Sequence, residues 1–140
     1  MDRIMAIDYG TKRIGLAVTD PNRIIATALT TVHPEKVIDF IRSYISTEPV
    51  SCFVVGEPKQ MDYSPSEITA QIEQFIKKLK KAFPGIRIDR IDERFSSKIA
   101  TSALRESGLK KKDRQRKDLI DQASAVILLQ SWMENNKLND

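Results

Sequence analysis

Three carboxylic acids stand at positions in this sequence where an acid is costly unless it has a partner. Asp8 ends a short apolar run, Glu93 follows a later run of alternating apolar and charged residues, and Asp121 lies in the largely apolar stretch 119–129. A partly buried carboxylate needs a hydrogen-bonding partner or a cation. Three carboxylates that meet without histidine or cysteine form an oxygen-only site, which suits Mg²⁺ or Mn²⁺ and not zinc.

A site of this kind has a defined chemistry when it holds two divalent ions. Ions ~3.5–4 Å apart clamp the attacking and leaving oxygens of a phosphodiester displacement. One ion lowers the pKa of a water molecule, and the other stabilises the departing 3′ oxygen. Asp8, Glu93 and Asp121 are therefore the predicted metal ligands and catalytic residues of a nuclease. The only histidine, His33, precedes a proline and is interpreted as a strand-end residue.

Each acid also has a purely structural interpretation. Asp8 could cap the turn that follows it, and Glu93 could pair with Arg94 at the surface. Asp121 could pair with Lys117 one helical turn earlier, as charges four residues apart do on a helix. Taken one at a time these signals are weak, and it is their joint placement that favours a catalytic site.

The basic residues of the chain are concentrated in one segment. The sequence has 23 Lys and Arg against 19 Asp and Glu, for a net charge of +4. Residues 110–117 contain six bases and one acid, whereas the other 132 residues carry a net charge of −1. A local basic block predicts docking of a polyanion at that place, with a solvated loop as the alternative. Its bases are Lys110, Lys111, Lys112, Arg114, Arg116 and Lys117.

Further cations lie beside the predicted acids and could grip phosphate near the scissile bond. Lys12 and Arg13 follow Asp8, and Arg94 follows Glu93. Contacts of this type position a nucleic acid strand without reading its bases. Only nine residues are aromatic and few of them fall near these cations, so the sequence does not predict recognition of single-stranded bases by stacking.

The length and composition limit the architecture that can hold these residues. The 140 residues, 41% hydrophobic and 30% charged, predict one globular domain over residues 1–140. A single cysteine fits a reducing cytoplasm, and no apolar run approaches the ~18 residues of a membrane span. Predicted strands cover residues 4–8, 14–19, 24–32, 50–56 and 86–91, and predicted helices begin near residues 34, 66, 97 and 116.

The order of these elements predicts an α/β fold around a mixed five-stranded sheet. Three strands joined by short turns form an antiparallel meander, and two later strands join it in parallel through helical crossovers. Ligands collect at the carboxyl ends of strands in such sheets. Asp8 and Glu93 stand at two such ends, and a helix packed over that edge could bring Asp121 to them.

Four motifs resemble the YqgF (RuvX) family. They are Asp8–Asp20 (DYGTKRIGLAVTD), 54–58 (VVGEP), 92–97 (DERFSS) and Lys117-x-x-x-Asp121-x-x-x-Ala125. The resemblance covers nearly the whole chain. It implies an RNase H-like fold shared with RuvC resolvases, and it matches Asp8, Glu93 and Asp121 to the family's catalytic acids. Family members are described as Holliday junction resolvases and as nucleases that mature the 5′ end of pre-16S ribosomal RNA.

The chain departs from the family pattern after Gly56. Glu57 stands where the family usually has an apolar residue, and the loop 59–64 lacks the usual Asn, Gly and Ser. RuvC-like enzymes take an acid from the fourth strand, so Glu57 is a further candidate for metal contact.

The first loop admits a different function. Asp8-x-Gly10-Thr11-Lys12 resembles the phosphate-binding hairpin of sugar kinases, Hsp70 and actin. Those proteins close two related domains over a nucleotide, whereas 140 residues supply one.

The preferred prediction is a cytoplasmic endonuclease that depends on Mg²⁺ or Mn²⁺ and acts on structured nucleic acid. The preferred substrate is precursor 16S rRNA, and the small ribosomal subunit is a predicted partner. The alternatives are a Holliday junction resolvase acting on branched DNA and a non-catalytic RNA-binding assembly factor. The oligomeric state is predicted to be either a monomer or a homodimer. A homodimer would fit the resolvase alternative, because resolvases that cut opposed strands act as two-fold dimers.

Overall fold

The computed structural model describes residues 2–10, 12–57, 67–92 and 117–137. The strands in these residues are β1 (Arg3–Asp8), β2 (Ile14–Thr19), β3 (Ala26–Val32), β4 (Val50–Glu57) and β5 (Arg87–Asp92). The helices are α1 (Val37–Thr47), α2 (Glu67–Ala82) and α3 (Lys117–Lys137). The predicted helix near residues 97–107, Glu93, Arg94 and the basic residues 110–116 lie outside the described residues. In the part of the chain that is described, no helix is both long and apolar enough to span a bilayer.

The five strands form one sheet in the order β3-β2-β1-β4-β5. Strands β1, β2 and β3 pair antiparallel, and β4 and β5 join β1 in parallel. This arrangement confirms the predicted antiparallel meander with two parallel strands. Strand β4 is buried from Cys52 to Gly56, as expected of a strand covered on both faces.

The two faces of the sheet carry different cores, because successive side chains of a strand point to opposite sides. One face packs against α1 and α2 through large residues such as Phe53 and Leu79. The other face packs against α3, whose Ala125 and Leu128 meet a second set of strand residues. On that second face the strands contribute Ile4, Ala6, Ala17, Cys52 and Val54.

The third strand begins later than the sequence pattern predicts. Ile24 and Ile25 were expected in the strand, but their backbone N–H groups donate to Oδ1 of Asp20 at 2.6 and 2.8 Å. Arg23 between them and Asp20 has a φ of 58°, which completes the turn. The Asp20 carboxylate therefore keeps these residues in the β2–β3 turn. The backbone N–H groups, that of Ile25 most of all, lower the pKa of Asp20.

Candidate active site

The parallel strands end together at one edge of the sheet and bring acidic positions there. Ile7 of β1 pairs with Val55 of β4, so that Asp8 and Glu57 follow this pair by one and two residues. Glu57 in turn pairs with Asp92, the last residue of β5. The backbone thus places three acidic positions at the carboxyl edge, and Glu93 follows Asp92 directly along the chain.

Asp8 lies on the face of the sheet that α3 covers. Ile4 and Ala6 belong to the core beneath α3, and Asp8 continues their alternation along β1. Across the sheet Asp8 pairs with Gly15, and Gly15 pairs with Thr31. These three residues form one row at the carboxyl edge, directly under the beginning of α3.

A hydrogen bond ties the beginning of α3 to this row. The Nε2 of Gln122 donates to the Oγ1 of Thr31 at 3.1 Å, although the two residues are 91 positions apart. Position 121 precedes Gln122 and lies one helical turn before the buried Ala125. The backbone of Asp121 is therefore at the same edge and on the same side of the sheet as Asp8, and the role of its side chain stays a prediction.

A second hydrogen bond fixes the other end of α3. The Nε1 of Trp132 donates to the Oδ2 of Asp89 at 2.7 Å, and Asp89 lies on β5. Because the two bonds lie at opposite ends of the helix, they set both its rotation and its position along the sheet. Sequence reasoning did not identify Thr31 or Gln122, and the only signal for them was a glutamine beside a predicted catalytic acid.

The turn between β1 and β2 shapes the border of the site. A Cβ atom at Gly10 would collide with the carbonyl oxygen of Arg13, so only glycine allows this close approach of the backbone. Lys12 is exposed and Arg13 is partly buried, and both lie within a few residues of Asp8. Their role in holding phosphate stays a prediction.

His33 is a strand-end residue, as the sequence indicated. It follows β3, and its Nδ1 accepts a hydrogen bond from the backbone N–H of Glu35 at 3.1 Å. Near it an open groove of about 640 Å³ runs from Thr31 to Lys36 at the start of α1. Lys36 is exposed and adds a cation that the sequence did not single out.

The described side chains include only part of the predicted metal site. Among them, no three His, Cys, Asp or Glu residues are close enough together to hold a metal ion. Asp8 is among the described side chains, but Glu93 and the side chains of Glu57, Asp92 and Asp121 are not. The ligand set therefore stays a prediction, supported by the backbone positions above.

The chain matches the RuvX family, described as a Holliday junction resolvase, over residues 2–135. The chain belongs to this family. A proposed pre-16S rRNA nuclease of Flavobacterium psychrophilum is 51% identical over 133 residues, which cover 95% of this chain and 97% of the relative. A relative of the same name from Phocaeicola vulgatus is 50% identical over 137 residues, covering 98% of this chain and 99% of the relative.

Solved structures show the same fold at low sequence identity. RuvC of T. thermophilus, solved in complex with a Holliday junction substrate, superposes with a TM-score of 0.58 at 16% identity, over 95% of this chain and 96% of that chain. The yeast mitochondrial Holliday junction resolvase Ydc2 superposes with a TM-score of 0.56 at 9% identity, over 94% of this chain and 78% of that chain. The predicted family and the predicted RNase H-like fold are confirmed, and a nuclease is the class of enzyme that agrees with both.

Proposed function

We propose that this RuvX-family chain is a divalent-metal-dependent endonuclease that hydrolyses phosphodiester bonds during maturation of the 5′ end of pre-16S rRNA. The observation that carries the proposal is the convergence of acidic positions at one edge. Asp8 ends β1 on the face that α3 covers, and the Gln122–Thr31 bond joins the beginning of α3 to the same row of the sheet, which supports a position for Asp121 near Asp8. Relatives about half identical in sequence, and named for this substrate, favour precursor rRNA over other nucleic acids. The proposal assigns the activity to one domain, residues 1–140, in the cytoplasm where ribosomes assemble.

The residues at this edge fit a hard divalent cation, because every proposed ligand is a carboxylate. Asp8, Glu93 and Asp121 would hold Mg²⁺ or Mn²⁺, and Glu57 is a fourth candidate because its backbone ends β4 at the same edge. When bound, the cations supply Lewis-acid stabilisation to the attacking and leaving oxygens. The protein contributes the positions of the acids, which the sheet register and α3 define.

Cations around the edge would orient the substrate strand. Lys12 and Arg13 border Asp8 in the β1–β2 turn, and Lys117 begins α3. Together with Arg94 and the basic residues 110–116, they would contact phosphates along the strand. The small ribosomal subunit is the proposed partner because its RNA contains the substrate.

Replacing Asp8 with asparagine tests the catalytic proposal. We expect Mg²⁺-dependent cleavage of a precursor 16S rRNA fragment to fall at least ~100-fold, because metal-assisted charge stabilisation contributes several kcal/mol. Binding of the fragment should change little. Asp2→Asn is the matched control, since Asp2 is exposed and far from the carboxyl edge. Full activity of Asp8→Asn would remove Asp8 from the mechanism.

The basic block has a separate test in the salt dependence of binding. Replacing Lys110, Lys111 and Lys112 together with alanine should lower the slope of log affinity against log salt by about 2, as loss of phosphate contacts does. A triple alanine variant at the exposed Lys77, Lys80 and Lys81 of α2 has the same change in net charge and serves as the control. Equal slopes in the two variants would identify the block as a solvated loop.

A second candidate function is resolution of Holliday junctions, which the similarity to the junction-bound RuvC structure favours. A four-way DNA junction offered beside the RNA fragment distinguishes the two. Symmetric cleavage of the junction alone, by a homodimer, would support the resolvase. Binding of RNA without cleavage in any divalent metal would indicate an assembly factor, and specific binding of ATP would favour nucleotide hydrolysis through the first loop.

A further inference from the structure

A small cleft lies on the opposite side of the carboxyl edge from α3. It has a volume of about 170 Å³ and is bounded by Tyr9, the start of α1 and the middle of α2. Tyr9 follows Asp8 in sequence and packs against the core beneath α1 and α2, whereas Asp8 is on the α3 face. The two residues therefore straddle the edge of the sheet. We call this space the Tyr9 cleft.

The walls of the Tyr9 cleft are apolar and partly aromatic. The rings of Tyr9 and Phe75 are 5.1 Å apart between centroids and tilted by 38°. Phe75 is buried and Tyr9 is half-buried, so part of the tyrosine ring faces the cleft. Pro34 and Ile38 complete this wall. Surfaces of this kind bind the planar face of a nucleobase, whatever the base.

The rim of the Tyr9 cleft is polar and comes from one stripe of α2. Gln71, Gln74 and Lys78 are spaced so that they follow each other along the same face of the helix. Neither glutamine amide makes a side-chain hydrogen bond to any other residue that the structure describes. Each amide offers both donors and an acceptor, which is what the edge of a base requires.

The charges of α2 are divided between two sides of the helix. Glu73 pairs with Arg90 of β5, and this arginine lowers the pKa of the Glu73 carboxyl. Lys78 lies on the cleft side and makes no ion pair with any side chain in the described ranges. The acid that lines the cleft is Glu35, two residues before α1 begins. A phosphate would therefore bind at the Lys78 end, away from Glu35.

We propose that the Tyr9 cleft binds one unstacked nucleobase of the substrate strand, adjacent to the phosphodiester bond cut at Asp8. The base lies against Tyr9, its edge meets the amides of Gln71 and Gln74, and Lys78 contacts a neighbouring phosphate. The cleft is smaller than the ~300–1,000 Å³ of typical small-molecule pockets, which suits one base and excludes a base pair. The inference rests on the proposed nuclease function and adds that the enzyme requires an unpaired nucleotide next to the cut.

The test measures binding without divalent metal, so that no cleavage is needed. Single-stranded RNA oligonucleotides spanning the cut are prepared with one abasic nucleotide at each successive position. For the wild-type protein, we expect one position at which loss of the base weakens binding about tenfold. The double variant Gln71→Ala/Gln74→Ala should bind the intact oligonucleotide about tenfold more weakly and should be insensitive to the abasic nucleotide.

Two controls separate recognition from a general loss of affinity. Gln130→Ala removes an exposed glutamine of α3, and Lys81→Ala removes an exposed lysine of α2 that does not line the Tyr9 cleft. Both control variants should keep the abasic sensitivity of the wild type. The inference is overturned if the wild type has no sensitive position, or if the double variant loses affinity equally for intact and abasic oligonucleotides.

The outcome is independent of the catalytic test. If wild-type protein cleaves RNA in Mg²⁺ but no abasic position weakens binding, the nuclease proposal is supported and the base-binding proposal is contradicted. If a sensitive position is found but no metal supports cleavage, the base site stands as a binding feature and the nuclease falls.

Discussion

The two faces of the sheet differ in the size of the side chains that cover them. The face under α1 and α2 is filled by large residues, among them Phe53, Ile41 and Leu79, all fully buried. On the face under α3, the strands contribute the small residues Ala6, Ala17 and Cys52 beside the larger Ile4 and Val54. Large side chains bury more apolar area and so contribute more to stability. Small ones let a helix approach closely, which brings the beginning of α3 over Asp8.

The two faces of the sheet also differ in the contacts that attach the helices to them. On the α1/α2 side, aromatic contacts attach the helical layer to the sheet. One of them joins Phe53 of β4 to Phe83, which follows α2, with ring centroids 5.7 Å apart. On the α3 side, hydrogen bonds from Gln122 and Trp132 fix the ends of the helix. The comparison indicates that one face mainly holds the fold together and the other mainly positions the site.

The largest effect on stability is expected at Phe53. Phe53→Ala leaves a cavity in the large-residue core and should lower the free energy of unfolding by about 3–5 kcal/mol, measured by urea denaturation. Cleavage per folded molecule should fall little, because α3 and its two anchors are untouched. A loss below about 1 kcal/mol would show that this core does not dominate stability.

An intermediate effect on stability is expected from placing a larger side chain on the face that packs against α3. Ala6→Leu overpacks the fully buried contact with α3 and should cost about 1–3 kcal/mol. Because the helix must shift, cleavage per folded molecule should fall more than in Phe53→Ala. The control is Ala28→Leu at an exposed position of β3, which should change stability by less than about 0.5 kcal/mol. A larger loss of cleavage in Phe53→Ala would reverse the roles given to the two faces.

A smaller effect is expected at Gln122. Gln122→Ala removes one neutral hydrogen bond to Thr31 and should cost about 0.5–1.5 kcal/mol. Gln130→Ala, at an exposed position of the same helix, controls for the loss of a glutamine. If α3 positions Asp121, Gln122→Ala should also reduce cleavage while leaving RNA binding unchanged. Identical cleavage by the two variants would argue against that anchor.

The smallest effect is expected from the titration of Cys52 beneath α3. Burial raises the pKa of its thiol above the ordinary value of 9.0. The folded protein therefore keeps the proton at a pH where the unfolded chain has lost it. The resulting stability is present below about pH 9 and is lost as the pH rises through the folded pKa. Urea denaturation from pH 8 to 10 should show this decline in the wild type and less of it in Cys52→Ala.

Local sequence signals were sufficient to predict most of the described strands and helices. Runs of β-branched residues, the glycine of the first turn and helical spacing predicted the strands and helices of the described residues to within a few positions. The prediction failed at Ile24 and Ile25, whose apolar character indicated a strand. The Asp20 carboxylate binds their backbone N–H groups and holds them in the turn, and both side chains remain more than half exposed, at 67% and 62%.

The sequence by itself determined the family, the order of the strands and helices that the structure describes, and the location of Asp8 at the end of its strand. Each of these depends on neighbouring residues or on a short motif. Only the tertiary structure decided that Thr31 accepts a hydrogen bond from Gln122 and that Tyr9 and α2 line the same cleft. Such pairs join residues far apart in the chain, and they form only after the sheet register and the helix packing have been set by burial of both cores.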